Sequence, residues 1–153
     1  MEYNDDYAIC EKTYATLRLY PGTKDPHAVT KLLGIQPTFT QRLGDPLSSR
    51  RQARINGWFL KTEHLIDSLD SRRHIDWLLD QVEPITDRFF ALRQAGCKAD
   101  ISCFWQSLSG HGGPTISPQQ SRRLAELNLE LWFDVYLGGS EEVDNATPFK
   151  IVG

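Results

Sequence analysis

Three stretches of this chain alternate, with a period of two, a wholly apolar set of residues with a set that is mostly polar. Ala15, Leu17 and Leu19 alternate with Thr16, Arg18 and Tyr20. Ile101, Cys103 and Trp105 alternate with Ser102, Phe104 and Gln106. Leu129, Leu131, Phe133 and Val135 alternate with Glu130, Trp132, Asp134 and Tyr136. Successive side chains of a strand point to opposite faces, so the pattern describes strands buried on one face and open on the other. Antiparallel sheets can face water on one side, whereas strands of a parallel sheet, covered on both sides, read as continuous apolar runs.

The helices that would cover such a sheet are legible between the strands. Asp25-Pro26 joins an N-cap residue to a proline at the first helical position, Val29, Leu32 and Leu33 follow at helical spacing, and Gly34 ends the turn. The longest apolar stripe starts near Ser71 and runs through Ile75, Leu78, Leu79, Val82, Ile85, Phe89 and Leu92 to a stop at Gly96. Pro84 has no amide hydrogen, which predicts a kink or a division of that helix. Ser117-Pro118-Gln119-Gln120 has the form of a capping box and predicts a third helix.

Further strands are expected at Gln36–Arg42 and Trp58–Lys61, with a short one at Thr115-Ile116. The expected order is β-α-β-β-α-β-β-α-β. It describes an α+β fold with a largely antiparallel sheet, helices on one face, and a ferredoxin-like core followed by a β-α-β extension. Neither a repeat nor a linker divides the chain, so residues 1–153 are read as a single domain. Its ordered core spans about 14–137 between a loose N-terminal arm and a mobile tail, where Phe149, Ile151 and Val152 are the residues available to dock.

Composition narrows the function classes. A chain of 153 residues can bury a core without a metal or a disulfide. A net charge of −3 is far from the basic balance of a dedicated nucleic-acid binder, which disfavours nucleic acid as the partner. Cys10, Cys97 and Cys103 are odd in number and irregularly spaced, the mark of inert thiols in a reducing compartment. The acidic N-terminus and the short apolar runs predict a cytoplasmic protein with no membrane partner.

Catalytic signatures are missing. The chain has no Gly-x-Ser-x-Gly elbow, so His111-Gly112-Gly113 is read as a hairpin loop rather than an oxyanion loop. It has no P-loop and no dinucleotide fingerprint. His27, His64, His74 and His111 are scattered, with no pair four residues apart. No catalytic residue, metal site or cofactor is assigned.

Two surfaces remain. One is the loop carrying Arg42, Arg50, Arg51 and Arg54, with Asp45 as its single acid; guanidinium forks suit carboxylates and phosphates. It is either an anion site or a solvated loop paired with the protein's own acids. The other is the polar side of the strands, with Arg18, Tyr20, Glu130, Trp132, Asp134 and Tyr136. Aromatics beside charges mark recognition surfaces. Alternatively the arginine loop folds across Trp132, with Arg42 or Arg51 pairing to Asp134 or Glu130.

Pro37-Thr38, the turn Gly44-Asp45-Pro46, the arginines after it and Gly57-Trp58-x-Leu60 resemble a bacterial domain of unknown function, family 4279. Leu124-Ala125-Glu126-Leu127-Asn128-Leu129, running into Asp134-Val135-Tyr136, is similar to it too. The resemblance covers roughly Ala15 to Tyr136 and brings no activity with it. It implies that the turn at Gly44, Trp58 and the terminal Asp-x-Tyr share one constellation, which would join the arginine loop to the Trp132, Asp134 and Tyr136 edge. The leading functional expectation is a non-catalytic binding module for a protein partner. The alternative is a small anionic-ligand binder or enzyme with its site between residues 42–54 and the open sheet face.

Overall fold

The computed structural model describes residues 1–138, so the expectations for the tail, including Phe149, Ile151 and Val152, fall outside the described residues. Strand β1 (Cys10–Tyr20) leads into helix α1 (Pro26–Leu33) and a short β2 (Phe39–Gln41). A two-stranded ribbon follows, β3 (Pro46–Ser48) and β4 (Arg51–Gln52), then β5 (Gly57–Lys61). Helices α2 (Ser71–Val82) and α3 (Thr86–Gln94) are separated by a 3-10 turn at Glu83–Ile85. Strand β6 (Lys98–Ser107), helix α4 (Pro118–Glu126) and β7 (Glu130–Tyr136) complete the chain.

The local signals act as their chemistry requires. Asp25 accepts the His27 amide with Pro26 behind it, and Gly34 closes α1 at φ 70°, a left-handed conformation that favours glycine. Pro84 divides the long helix at the 3-10 turn. Ser117 and Gln120 exchange both bonds of a capping box at α4.

The main sheet has the order β2-β5-β1-β6-β7. Every neighbouring pair is antiparallel except β6 and β7, which are parallel and joined through α4. The fold is therefore α+β with a mixed, mostly antiparallel five-stranded sheet. Ala15, Leu17, Leu19, Trp58, Leu60, Ile101 and Cys103 meet Val29 and Leu33 of α1, Ile75, Leu78 and Leu79 of α2, Phe89 of α3 and Leu124 of α4 in one core. All four helices thus lie on one side of the sheet, and the even-numbered residues of β1, β6 and β7 face the other.

Three expectations are corrected. Thr115-Ile116 forms no strand; the segment runs directly to the Ser117 cap. Part of the arginine-rich loop is instead a ribbon, because Pro46 pairs with Gln52 and Ser48 with Arg51. The expected loose arm is tied down: Tyr3 Oη donates to Asp76, the Asn4 amide to Asp70 at 2.7 Å, and the Leu69 amide to the Asp5 carbonyl at 2.8 Å. Acids and amides spaced far apart in sequence meet there, which no local pattern records.

Candidate functional site

Strand register converts the open face into rows of side chains. Phe39, Phe59, Arg18, Asp100 and Glu130 form one row across β2, β5, β1, β6 and β7. Lys61, Thr16, Ser102 and Trp132 form the next, and Tyr14, Phe104 and Asp134 the one beyond it. Directly opposed side chains in a sheet interact across strands, so each row is a line of contacts.

Arg18 lies at the centre of this face. Its Nε donates to Asp100 Oδ1 and its Nη2 to Asp100 Oδ2, each at 2.6 Å, a two-pronged pairing. The guanidinium carbon stands 5.3 Å from the Trp132 ring and 6.0 Å from the Tyr20 ring. Burial opposes the Arg18 charge, but the Asp100 bonds and the nearby acids outweigh it and raise the proton affinity of the guanidinium above its ordinary value. Burial also lifts the Tyr20 hydroxyl to about 12, against the lowering pull of Arg18.

The second patch of the face is aromatic and cationic. Tyr14 stacks on Phe104 with centroids 4.7 Å apart, and Phe104 contacts Tyr136 at 5.3 Å. Lys12 and Lys61 stand 5.7 Å and 5.2 Å from the Tyr14 ring, and both reach Glu63, at 2.5 Å and 3.7 Å. Burial alone would raise the Glu63 pKa, yet the bond from Lys12 and the two ammonium charges bring it below the usual value. A small cavity of about 280 Å³ opens beside them, lined by Thr16, Phe39, Phe59, Lys61, Glu63 and His64. His64 sits at φ 67°, in the left-handed region that non-glycine residues seldom occupy.

Large side chains at the two margins of the face are open to solvent. Phe39 on edge strand β2 and Trp132 on edge strand β7 are each 41% exposed, while Arg18, Thr16 and Phe104 between them are buried. Tyr136 is buried, Asp134 half-buried and Glu130 exposed. The Tyr136 hydroxyl approaches Asp134 at 3.5 Å.

The single constellation joining loop and strand edge is corrected. Residues 42–54 lie between β2 and β5, at the sheet edge opposite to β7. Four inter-strand steps of about 4.8 Å place roughly 19 Å between the two edges. Arg42 pairs with Asp25, through Nε to Oδ2 at 3.0 Å and Nη2 to Oδ1 at 3.1 Å, and not with Asp134 or Glu130. Arg50, Arg51 and Arg54 are exposed and line a cleft belonging to the loop itself. Trp58 joins neither surface: it is fully buried on the helix side, with its indole N–H donated to Thr30 Oγ1 at 2.9 Å. Its position on an odd register with Leu19 carries it into the core.

Sequence reasoning also missed Asp100, Phe39, Lys61 and Glu63. Extending the alternation of β6 by one step back from Ser102 puts Asp100 on the polar side, a signal that was present. Its pairing with Arg18 depends on register, which was not.

The three cysteines and His74 are buried rather than presented on this face. Cys10, Cys97 and Cys103 are free and buried, and burial pushes their thiols up to about 11, 11 and 12, so they stay protonated. His74 is buried between Thr62 Oγ1 at 2.6 Å and the Ser68 carbonyl at 2.9 Å. The carbonyl requires a proton on Nε2, leaving Nδ1 to accept from Thr62, and burial lowers the His74 pKa in keeping with that neutral ring. Among the described residues, no three His, Cys, Asp or Glu side chains converge as metal ligands, and no helix is long and apolar enough to cross a membrane.

A mixed sheet covered on one side by helices, with an arginine–aromatic network on the other, is the structural class of this chain. Residues 11–138 match the family described as domain of unknown function (DUF4279), and the chain belongs to that family. No curated protein and no solved structure matches it.

Proposed function

We propose that the domain is a non-catalytic binding module of the cytoplasm that uses the open sheet face to recognise a protein partner. The observation that carries this reading is the exposure of Trp132 and Phe39 at the two margins of a face whose centre, Arg18 and Asp100, is already paired. Interface cores favour aromatic residues and arginine, held in place before the partner arrives. The order β2-β5-β1-β6, antiparallel throughout, supports reading the first two-thirds of the chain as a ferredoxin-like core, with α4 and β7 as the extension that brings Trp132 to the face.

The test contrasts two tryptophans. Trp132→Ala is expected to lower stability by less than about 1 kcal/mol, whereas truncating a buried tryptophan costs on the order of 3–5 kcal/mol, the outcome expected for Trp58→Ala. Partner capture from the native host, read by mass spectrometry, should yield a protein retained by the wild type and lost by a Trp132→Ala/Phe39→Ala double variant. Identical capture by both would remove the reading.

A further inference from the structure

Residues 42–56 build a ribbon whose base is pinned from several directions. The Gly44 amide donates to the Ala53 carbonyl and the Ala53 amide to the Asp45 carbonyl, each at 2.8 Å. Asn56 accepts the Leu43 amide at 2.7 Å and donates to the carbonyls of Gly22 and Lys24 at 3.0 Å and 3.1 Å, fastening the ribbon to the turn before α1. Asp45, the ribbon's one acid, is taken up internally, with Oδ2 accepting the Arg42 amide at 2.7 Å. Arg42 in turn is held by Asp25.

Arg50, Arg51 and Arg54 therefore have no carboxylate within ion-pair distance among the described residues, although Arg18, Arg42, Arg72, Arg73 and Arg123 all do. The three line one cleft of about 1030 Å³, together with Ser48, Ser49 and Gly44. Ser48 Oγ accepts the Arg50 amide at 3.3 Å, which leaves its own hydrogen to donate. Three guanidiniums on a short, pinned ribbon repel one another, and an anion that bridges them removes that repulsion. Each fork can hold two oxygens at once, and a phosphate group presents them at the matching geometry.

We propose that the arginine ribbon is a binding site for a compact, multiply charged phosphate compound, with at least two phosphate groups to match three guanidiniums. A long phosphate polymer fits less well, because the chain as a whole carries a net charge of −3 and repels a polyanion beyond the ribbon. The site lies across the sheet from Trp132 and stands or falls separately from the open face.

Titration of the whole chain with inorganic pyrophosphate and tripolyphosphate, at low salt and pH 7.5, tests it by calorimetry and by the shift in unfolding temperature. One equivalent should bind saturably and raise the unfolding midpoint by several degrees. Changing Arg50, Arg51 and Arg54 together to alanine should weaken binding at least tenfold and leave the unliganded midpoint in place, and the triple lysine variant should retain part of the affinity. Arg88→Ala/Arg122→Ala, removing two exposed arginines elsewhere, should bind as the wild type does. Absence of saturable binding, equal affinity in the triple alanine variant, or equal loss in the Arg88/Arg122 control overturns the site. A ten-nucleotide single strand that binds more tightly than tripolyphosphate overturns the assignment to a compact ligand.

Discussion

The chain handles arginine in two opposite ways. On the helical side, Arg123 reaches Asp76, Asp80 and Glu83 at once, Arg72 holds Asp70 at 2.7 Å, and Arg73 holds Asp5 at 2.7 Å. These contacts tie the N-terminal arm, α2 and α4 together, and Gln120 Nε2 adds a bond to Asp76 at 3.0 Å. On the ribbon, Arg50, Arg51 and Arg54 stand exposed and form no ion pair among the described residues. Arginine content is comparable in the two regions, so what separates structural from available charge is the supply of nearby carboxylates. The difference teaches that a charge run in a sequence acquires its meaning from what the fold brings opposite to it.

The sharpest way to break the comparison is to remove a clamp. Arg123→Ala leaves the buried Asp76 carboxylate with a weakened shell, and a loss of about 2 kcal/mol is expected, less than for a fully buried pair because Arg123 is partly exposed. Urea denaturation at pH 7.5 measures it. A variant as stable as the wild type would place the clamp with surface pairs that contribute little.

Acid should attack the same region through His74. Its folded pKa is lowered chiefly by burial, with Arg73 adding to the effect and Asp70 and Asp5 opposing it. The unfolded chain therefore binds the proton more readily. This contribution is complete above about pH 6.5 and is lost as pH falls through the lower folded value. Unfolding midpoints at pH 7.5 and 5.5 should show the decline, and His74→Gln should flatten it.

A milder probe is Tyr3→Phe, which deletes one hydrogen bond to Asp76 and is expected to cost about 1 kcal/mol. The Tyr3 hydroxyl is itself raised to about 12, mainly by burial and then by its bond to Asp76, so its ultraviolet titration should lie well above that of an exposed tyrosine. The smallest effect belongs to the ribbon. Removing Arg50, Arg51 and Arg54 should leave stability unchanged or slightly improved, with any gain fading as salt screens the repulsion. A clear destabilisation would show that those arginines are as structural as Arg123.

Much of the fold was legible because its signals are local. The Asp25-Pro26 cap, the Ser117–Gln120 box and the break at Pro84 each depend on a few adjacent residues, and all three hold. The polar face of Arg18, Trp132, Asp134 and Tyr136 followed from a period of two, and those residues do share one side of the sheet. The joined site did not follow, because nothing local reports which strands sit at which edge. Trp58 misled for a related reason: an aromatic after a turn reads the same whether its face is covered or open.

By itself, the sequence determined the alternation, the helix ends and hence a sheet with one covered side, since backbone geometry dictates where each side chain of a strand or helix points. Tertiary structure alone decided that Arg18 faces Asp100, that the acids of the N-terminal arm and α2 meet arginines of α2 and α4, and that the ribbon lies an entire sheet away from Trp132. Those outcomes depend on register and strand order, which arise when segments distant in the chain compete to bury apolar surface and satisfy their hydrogen bonds together.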